Sequence, residues 1–307
     1  MATSTRTKAD QDMSRHALGH IFAKLNAPRK SRTTFVIVEG ADDLAFYRRF
    51  FDRRVTSLYY STKLNADGTV KDGGCKELEN IVYLILQDKR TDKVVGIMDT
   101  DYRRYKKGFS CPSNIFLTDY RDMEMTALRT PSVQQSLNGW IANYESQLDQ
   151  IQPILCHAGT LRILNDVYHL GCSFKKKVKI GCVYDEQTHT IYPDWKKRYN
   201  SAFKKGCLKN EKQKGNDKII VFLNYWRAQI HQAIHSFQKE DFYNICQGHD
   251  FISLLSKSLV NTSVYSEDNI WTRCFDAYTL VDFKSTKLYD GLHGWECEKG
   301  LSLFRKG

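Results

Sequence analysis

Residues 33–52, "TTFVIVEGADDLAFYRRFFD", decide how the chain is read. Thr33 to Val38 are six consecutive apolar or β-branched residues, the pattern of a strand buried on both faces. Three carboxylates follow within five positions, Glu39, Asp42 and Asp43, with Gly40 between them. An amphipathic run then begins in which Leu44, Tyr47, Phe50 and Phe51 share a helical face. The segment is a strand passing into a helix, with acids at the junction. Gly40 suits a sharp strand-to-helix turn, where a residue without a Cβ is often needed.

The same alternation continues outward. "VTSLYYST" (55–62) reads as a second strand, and "CKELENIVYLILQDK" (75–89), set off by the "DGG" break, as a second helix. "VVGIMDTD" (94–101) and "NIFLTDY" (114–120) are two further short apolar runs. Short strands separated by helices imply parallel pairing through right-handed crossovers. The expected fold class is therefore α/β, a mostly parallel, Rossmann-like sheet with helices on both faces, followed by a mainly helical C-terminal part. Helices are expected at 132–149, 153–168, 218–239 and 249–260. The expected organisation is an N-terminal helical segment at 1–32, a sheet domain at 33–130 and the helical part at 131–307. With no internal repeat and no low-complexity linker, the helical part is expected to pack on the sheet domain.

The chain has 307 residues, 41% of them apolar, enough to bury a sizeable core. Its formal net charge is +11, and a basic excess of this size points to a polyanionic partner. No apolar run approaches the ~18 residues needed to span a bilayer, so nucleic acid is favoured over a membrane. The N-terminus has no uninterrupted apolar segment before a small-residue cleavage site, and a cytosolic location is expected. Nine cysteines without a C-x-x-C pair argue against a disulfide framework or a zinc site. Neither a P-loop nor a G-x-G-x-x-G is present, so any ATP dependence would come from a partner.

Residues placed just after the strands of a parallel sheet line the crevice where ligands bind. Glu39 closes the first strand and Asp43 lies one helical turn beyond it. Asp99 and Asp101 close the third at i, i+2, which points both side chains the same way if the extended backbone persists. Glu124 follows the fourth, in "TDYRDMEM", with Asp119 and Asp122 nearby. Carboxylates gathered at one sheet edge repel one another unless a cation lies among them. With hard oxygen donors and no interleaved His or Cys, that cation is expected to be Mg²⁺ or Mn²⁺.

At these residues the sequence resembles the Toprim family, the metal-dependent core shared by topoisomerases, primases and OLD-type nucleases. The glutamate of "VEGADD" and the D-x-D of "MDTD" match its two motifs over roughly residues 33–127. Together with "IFLTDYRDMEM" and "CQGHDFISLL", they resemble more closely the Toprim effector subunits of PARIS-type anti-phage systems. The resemblance implies a Mg²⁺-dependent phosphodiesterase with Glu39 as general acid or base. Glu39, Asp43, Asp99, Asp101 and Glu124 would hold one or two metals. It further implies RNA, such as tRNA, as target and cell shutdown as outcome. An ABC-type ATPase subunit would be the partner, and the active form a homodimer.

Residues 173–218 hold 13 Lys or Arg against 5 Asp or Glu. Aromatics among those charges suit a nucleic-acid face, where cations meet phosphates and rings stack on bases. Lys175, Lys176, Lys177, Lys196, Lys197 and Arg198 are the candidate contacts. His249 and Asp250, in "GHDF", are either accessory site residues or the start of a helix. The rival readings are a DNA endonuclease of OLD type, a HAD-like phosphatase, and a non-catalytic subunit that binds nucleic acid or regulates an ATPase.

Overall fold

The computed structural model describes residues 17–26, 33–64, 70–88, 91–105, 108–174, 179–214, 242–259 and 263–305. The first elements are α1 (Ala17–Asn26), β1 (Thr34–Val38), α2 (Ala41–Tyr47), β2 (Thr56–Tyr60), β3 (Thr62–Leu64), β4 (Val70–Asp72), α3 (Gly74–Gln87), β5 (Val94–Met98) and β6 (Ile115–Leu117). Strands β2, β1, β5 and β6 form one sheet in that spatial order, and every pairing in it is parallel. The short strands β3 and β4 make a separate antiparallel ribbon in the crossover from β2 to β5.

All five residues of β1 and of β5 are buried, as the unbroken apolar runs require of strands covered on both faces. On one face Phe35 and Ile37 pack with Ile21 of α1 and with Leu78, Ile81, Val82 and Ile85 of α3. Gly96 makes that contact close: a Cβ there would lie 2.7 Å from a methyl of Leu78. A second, aromatic cluster joins Phe46, Tyr47, Phe50 and Phe51 to Phe283, Tyr289 and Phe304. Within it the Phe50 and Phe283 rings stack with centroids 4.6 Å apart.

The chain forms two compact units. The first comprises residues 1–100, 110–119 and 279–307, and the second residues 101–109 and 120–278. A sequential division at residue 130 does not register that the last 29 residues, with helices Leu280–Lys284 and Lys287–Glu298, belong with the sheet. Backbone pairing holds them there: Asp52 N–H donates to the Leu303 carbonyl at 2.8 Å, and Arg305 N–H to that of Phe50 at 3.1 Å.

The second unit is built from α4 (Met123–Leu128), α5 (Pro131–Trp140), α6 (Tyr144–Val167), a hairpin of β7 (Tyr184–Asp185) and β8 (Thr190–Ile191), α7 (Trp195–Lys214), α8 (Phe242–Ile245), α9 (Gly248–Ser258) and α10 (Glu267–Ala277). The expected helix at 132–149 is broken earlier than its sequence suggests. Asn143 adopts a left-handed conformation (φ 56°) between α5 and α6, and Asn tolerates that region better than most residues. Helix α6 instead runs through Pro153, where a break was expected. The expected helix at 218–239 lies outside the described residues. Among the described residues no helix is long and apolar enough to cross a membrane.

Candidate metal-binding acids at the strand ends

In the first unit β1 leads to β2 on one side, and the next crossover returns past β1 to β5 on the other. The carboxyl ends of β1 and β5 therefore flank the point where strand order reverses, the usual ligand crevice of an open α/β sheet. Glu39 and Asp99 are the residues that immediately follow these two strands. They are coupled directly: the Asp99 backbone N–H donates to Glu39 Oε1 at 2.9 Å. The Glu39 carboxylate is thereby oriented across the switch point, and both side chains are half-buried.

Asp43 turns back toward the strand end. Its Oδ2 accepts the Gly40 N–H at 2.9 Å, closing the N-terminus of α2. Asp42 is exposed in the same first turn, where a negative charge suits the helix dipole. Gly40 itself is extended (φ −134°, ψ 177°), a conformation open to any residue, so the junction does not need a glycine for its backbone. Asp119, after β6, accepts the Lys287 and Leu288 N–H groups at 2.9 Å each and so fixes the start of the last helix.

The D-x-D motif does not stay extended. Thr100 is buried, with its N–H donating to Thr118 Oγ1 at 3.0 Å, and its own hydroxyl donates to the Thr118 carbonyl. Asp101 then takes a left-handed backbone (φ 47°). The expectation that i, i+2 spacing would carry Asp99 and Asp101 in the same direction fails at that residue, because an extended backbone is its precondition. The boundary between the two units falls within the motif, after Thr100.

In the second unit Asp101 meets cations, with Arg103 Nη1 at 3.2 Å and Arg121 Nη2 at 3.7 Å. Arg121 is buried, stacked 3.7 Å from the centre of the Tyr102 ring. Burial in turn pushes the Tyr102 hydroxyl far above its ordinary pKa, keeping it protonated. Asp122 caps two helices at once, accepting the Met125 N–H of α4 at 2.8 Å and the Gly248 N–H of α9 at 2.9 Å. Burial raises its pKa, while Arg121 and these two amides oppose the shift.

Glu124 is buried on α4, with Oε1 3.3 Å from Nε2 of the exposed His249. Gly248 permits this approach: a Cβ there would lie 2.1 Å from that of Glu124. His249 thus joins Glu124, whereas Asp250 is held in a two-pronged pair by Arg162, with contacts of 2.7 to 3.0 Å. Of the two "GHDF" candidates, Asp250 has the structural task. Residue-by-residue reading did not single out Arg121 or Arg162, because a lone arginine has no local signature. The adjacency of Arg121 and Asp122 was the only hint.

Lys196, Lys197 and Arg198 lie in the first turn of α7, all exposed. Lys175, Lys176 and Lys177 lie outside the described residues. Among the described residues no group of three or more His, Cys, Asp or Glu side chains is drawn together in a way that could hold a metal ion. No protein-family model matches the chain, and a search of curated proteins finds no relative.

Proposed function

We propose that the chain is a metal-dependent nuclease of Toprim type, with Glu39 and Asp99 as the core of its active centre. One observation carries this reading: two carboxylates follow adjacent parallel strands at the switch point of the sheet, and the backbone amide of one orients the other. A pair of hard oxygen donors fits Mg²⁺, which is commonly held by one or two carboxylates and completes its shell with water and substrate phosphate. When bound, Mg²⁺ would polarise a phosphoryl oxygen and offset charge developing on it.

The chain's own residues supply orientation and proton handling. Glu39, fixed by the Asp99 amide, is placed to accept a proton from an attacking water or to return one to a leaving oxygen. The reading rests on these two acids of the sheet unit. Asp43, Asp101 and Glu124, also assigned to the metal by motif resemblance, have the observed partners Gly40, Arg103 with Arg121, and His249 within their own units. The motif resemblance extends the proposal to RNA, with tRNA as the first substrate to test. It also extends it to the role of a toxic effector in phage defence, restrained by an ABC-type ATPase and active as a homodimer.

The test is direct. The purified chain is incubated with total tRNA, and separately with plasmid DNA, with Mg²⁺ or Mn²⁺ and with a chelator. Metal-dependent cleavage by wild type, absent in folded Glu39→Gln and Asp99→Asn variants, supports the proposal. Undiminished cleavage in both variants overturns it.

A further inference from the structure

The second unit carries a groove of about 620 Å³ along one side of α7, lined in part by Lys197, Arg198, Ser201 and Lys205, with Cys182 and Asp194 beside them. Lys197, Ser201 and Lys205 recur every four residues, one stripe of the helix. Lys197 and Lys205 are both exposed and stand about 12 Å apart along the axis, eight residues at the helical rise. Phosphates of one strand in a duplex are spaced about 3.4 Å along its axis, so this separation covers several of them.

Arg198 differs from these two lysines. Asp194 Oδ1 holds its Nε at 2.7 Å, and its guanidinium lies 3.6 Å from the centre of the Tyr192 ring. It forms a fixed wall with much of its charge already matched. Lys196 stands close enough to His157 to help keep that buried imidazole neutral, and it is not among the residues lining the groove.

We infer that this groove is a binding track for a nucleic-acid strand, with Lys197 and Lys205 contacting phosphates and Ser201 donating a hydrogen bond between them. The inference builds on the nucleic-acid reading of the chain but does not depend on the chemistry assigned to Glu39. Charge complementarity selects the occupant, since the groove offers two exposed ammonium groups and a hydroxyl along one line.

The experiment measures fluorescence anisotropy of a labelled single-stranded RNA with the 307-residue chain. It is done in chelator, so that no cleavage occurs, at salt concentrations from about 50 to 200 mM. The double variant Lys197→Gln/Lys205→Gln should bind on the order of tenfold more weakly, with a log–log salt slope smaller by about 1.4, two contacts at roughly 0.7 each. Lys196→Gln should change affinity and slope far less. Unchanged affinity and slope in a double variant that melts like wild type overturns the inference, as does an equal loss from Lys196→Gln alone. Poly-glutamate binding to wild type more tightly than RNA would make the groove a dock for an acidic protein, and would also overturn it. A Glu39→Gln chain should bind RNA like wild type, so failure of the catalytic proposal leaves this result readable.

Discussion

Glu39 and Asp43 of the sheet unit and Asp101 and Asp250 of the helical unit are the same residue types put to different electrostatic use. By their described contacts, Glu39 and Asp43 accept backbone N–H groups, which orient a carboxylate. Asp101 and Asp250 instead face guanidinium groups, which cancel its charge. An oriented oxygen donor follows from the first arrangement, and a rigid scaffold from the second. A count of acidic residues along the chain cannot separate the two, because the partner decides the role.

Four substitutions put that contrast at risk, taken here from the largest expected effect to the smallest. Glu39→Gln keeps an oxygen for the Asp99 amide but removes the charge. The expected loss is about a thousandfold or more in metal-dependent cleavage rate, within the range for general acid–base groups, with a melting temperature close to wild type. Initial rates and a thermal melt read both quantities, and a large fall in melting temperature would move Glu39 into the scaffold class.

Arg162→Met should do the reverse, leaving Asp250 charged and half-buried without its partner. The expected cost is about 3 kcal/mol, read from the midpoint and slope of urea unfolding. Adding Asp250→Asn to Arg162→Met should recover part of it. A loss below about 1 kcal/mol would place the pair among weak surface ion pairs. Gly248→Ala comes next, since a Cβ 2.1 Å from that of Glu124 must push α9 or α4 aside. Overpacking of this kind costs about 1–3 kcal/mol, and the same denaturant assay checks it. An unchanged midpoint would show that the two helices separate easily.

The smallest effect is a pH dependence. His157 is buried, with Nε2 2.7 Å from Asn200 Oδ1. Burial, aided by the charge of Lys196, lowers its pKa below the ordinary value of 6.5. The unfolded chain therefore binds a proton more readily than the folded one, so stability is greatest above about 6.5 and declines as pH falls below it. His157→Gln should flatten the dependence of melting temperature on pH between about 7 and 5. An unaltered slope would assign the decline to other groups.

Much of the sheet unit was legible in advance. The runs Thr33–Val38 and Val94–Met98 read as buried strands and Asn114–Leu117 as a further one, of which only Ile115 is fully buried. The helical face of Leu78 to Leu86 lay beside them in sequence, whereas α2 ends at Tyr47, short of the expected helical positions Phe50 and Phe51. Less legible were features set by one residue's tolerance, such as the break at Asn143 and the passage of α6 through Pro153. Least legible was the return of residues 279–307 to the sheet. Phe283 and Phe304 look like ordinary apolar positions until Phe50 and Phe51 supply the surface they cover.

The sequence by itself determined the parallel α/β architecture and the placement of Glu39 and Asp99 at strand ends, because strand burial and strand termini are local properties of apolar periodicity. Only the tertiary structure decided which acids face amides and which face arginines. The D-x-D motif was straight on paper, yet Thr100 turns inward to Thr118 and Asp101 swings to Arg103 and Arg121. Asp250 found its partner 88 positions away, in Arg162. Pairings of that range depend on how helices close on one another, and no spacing within a single segment encodes them.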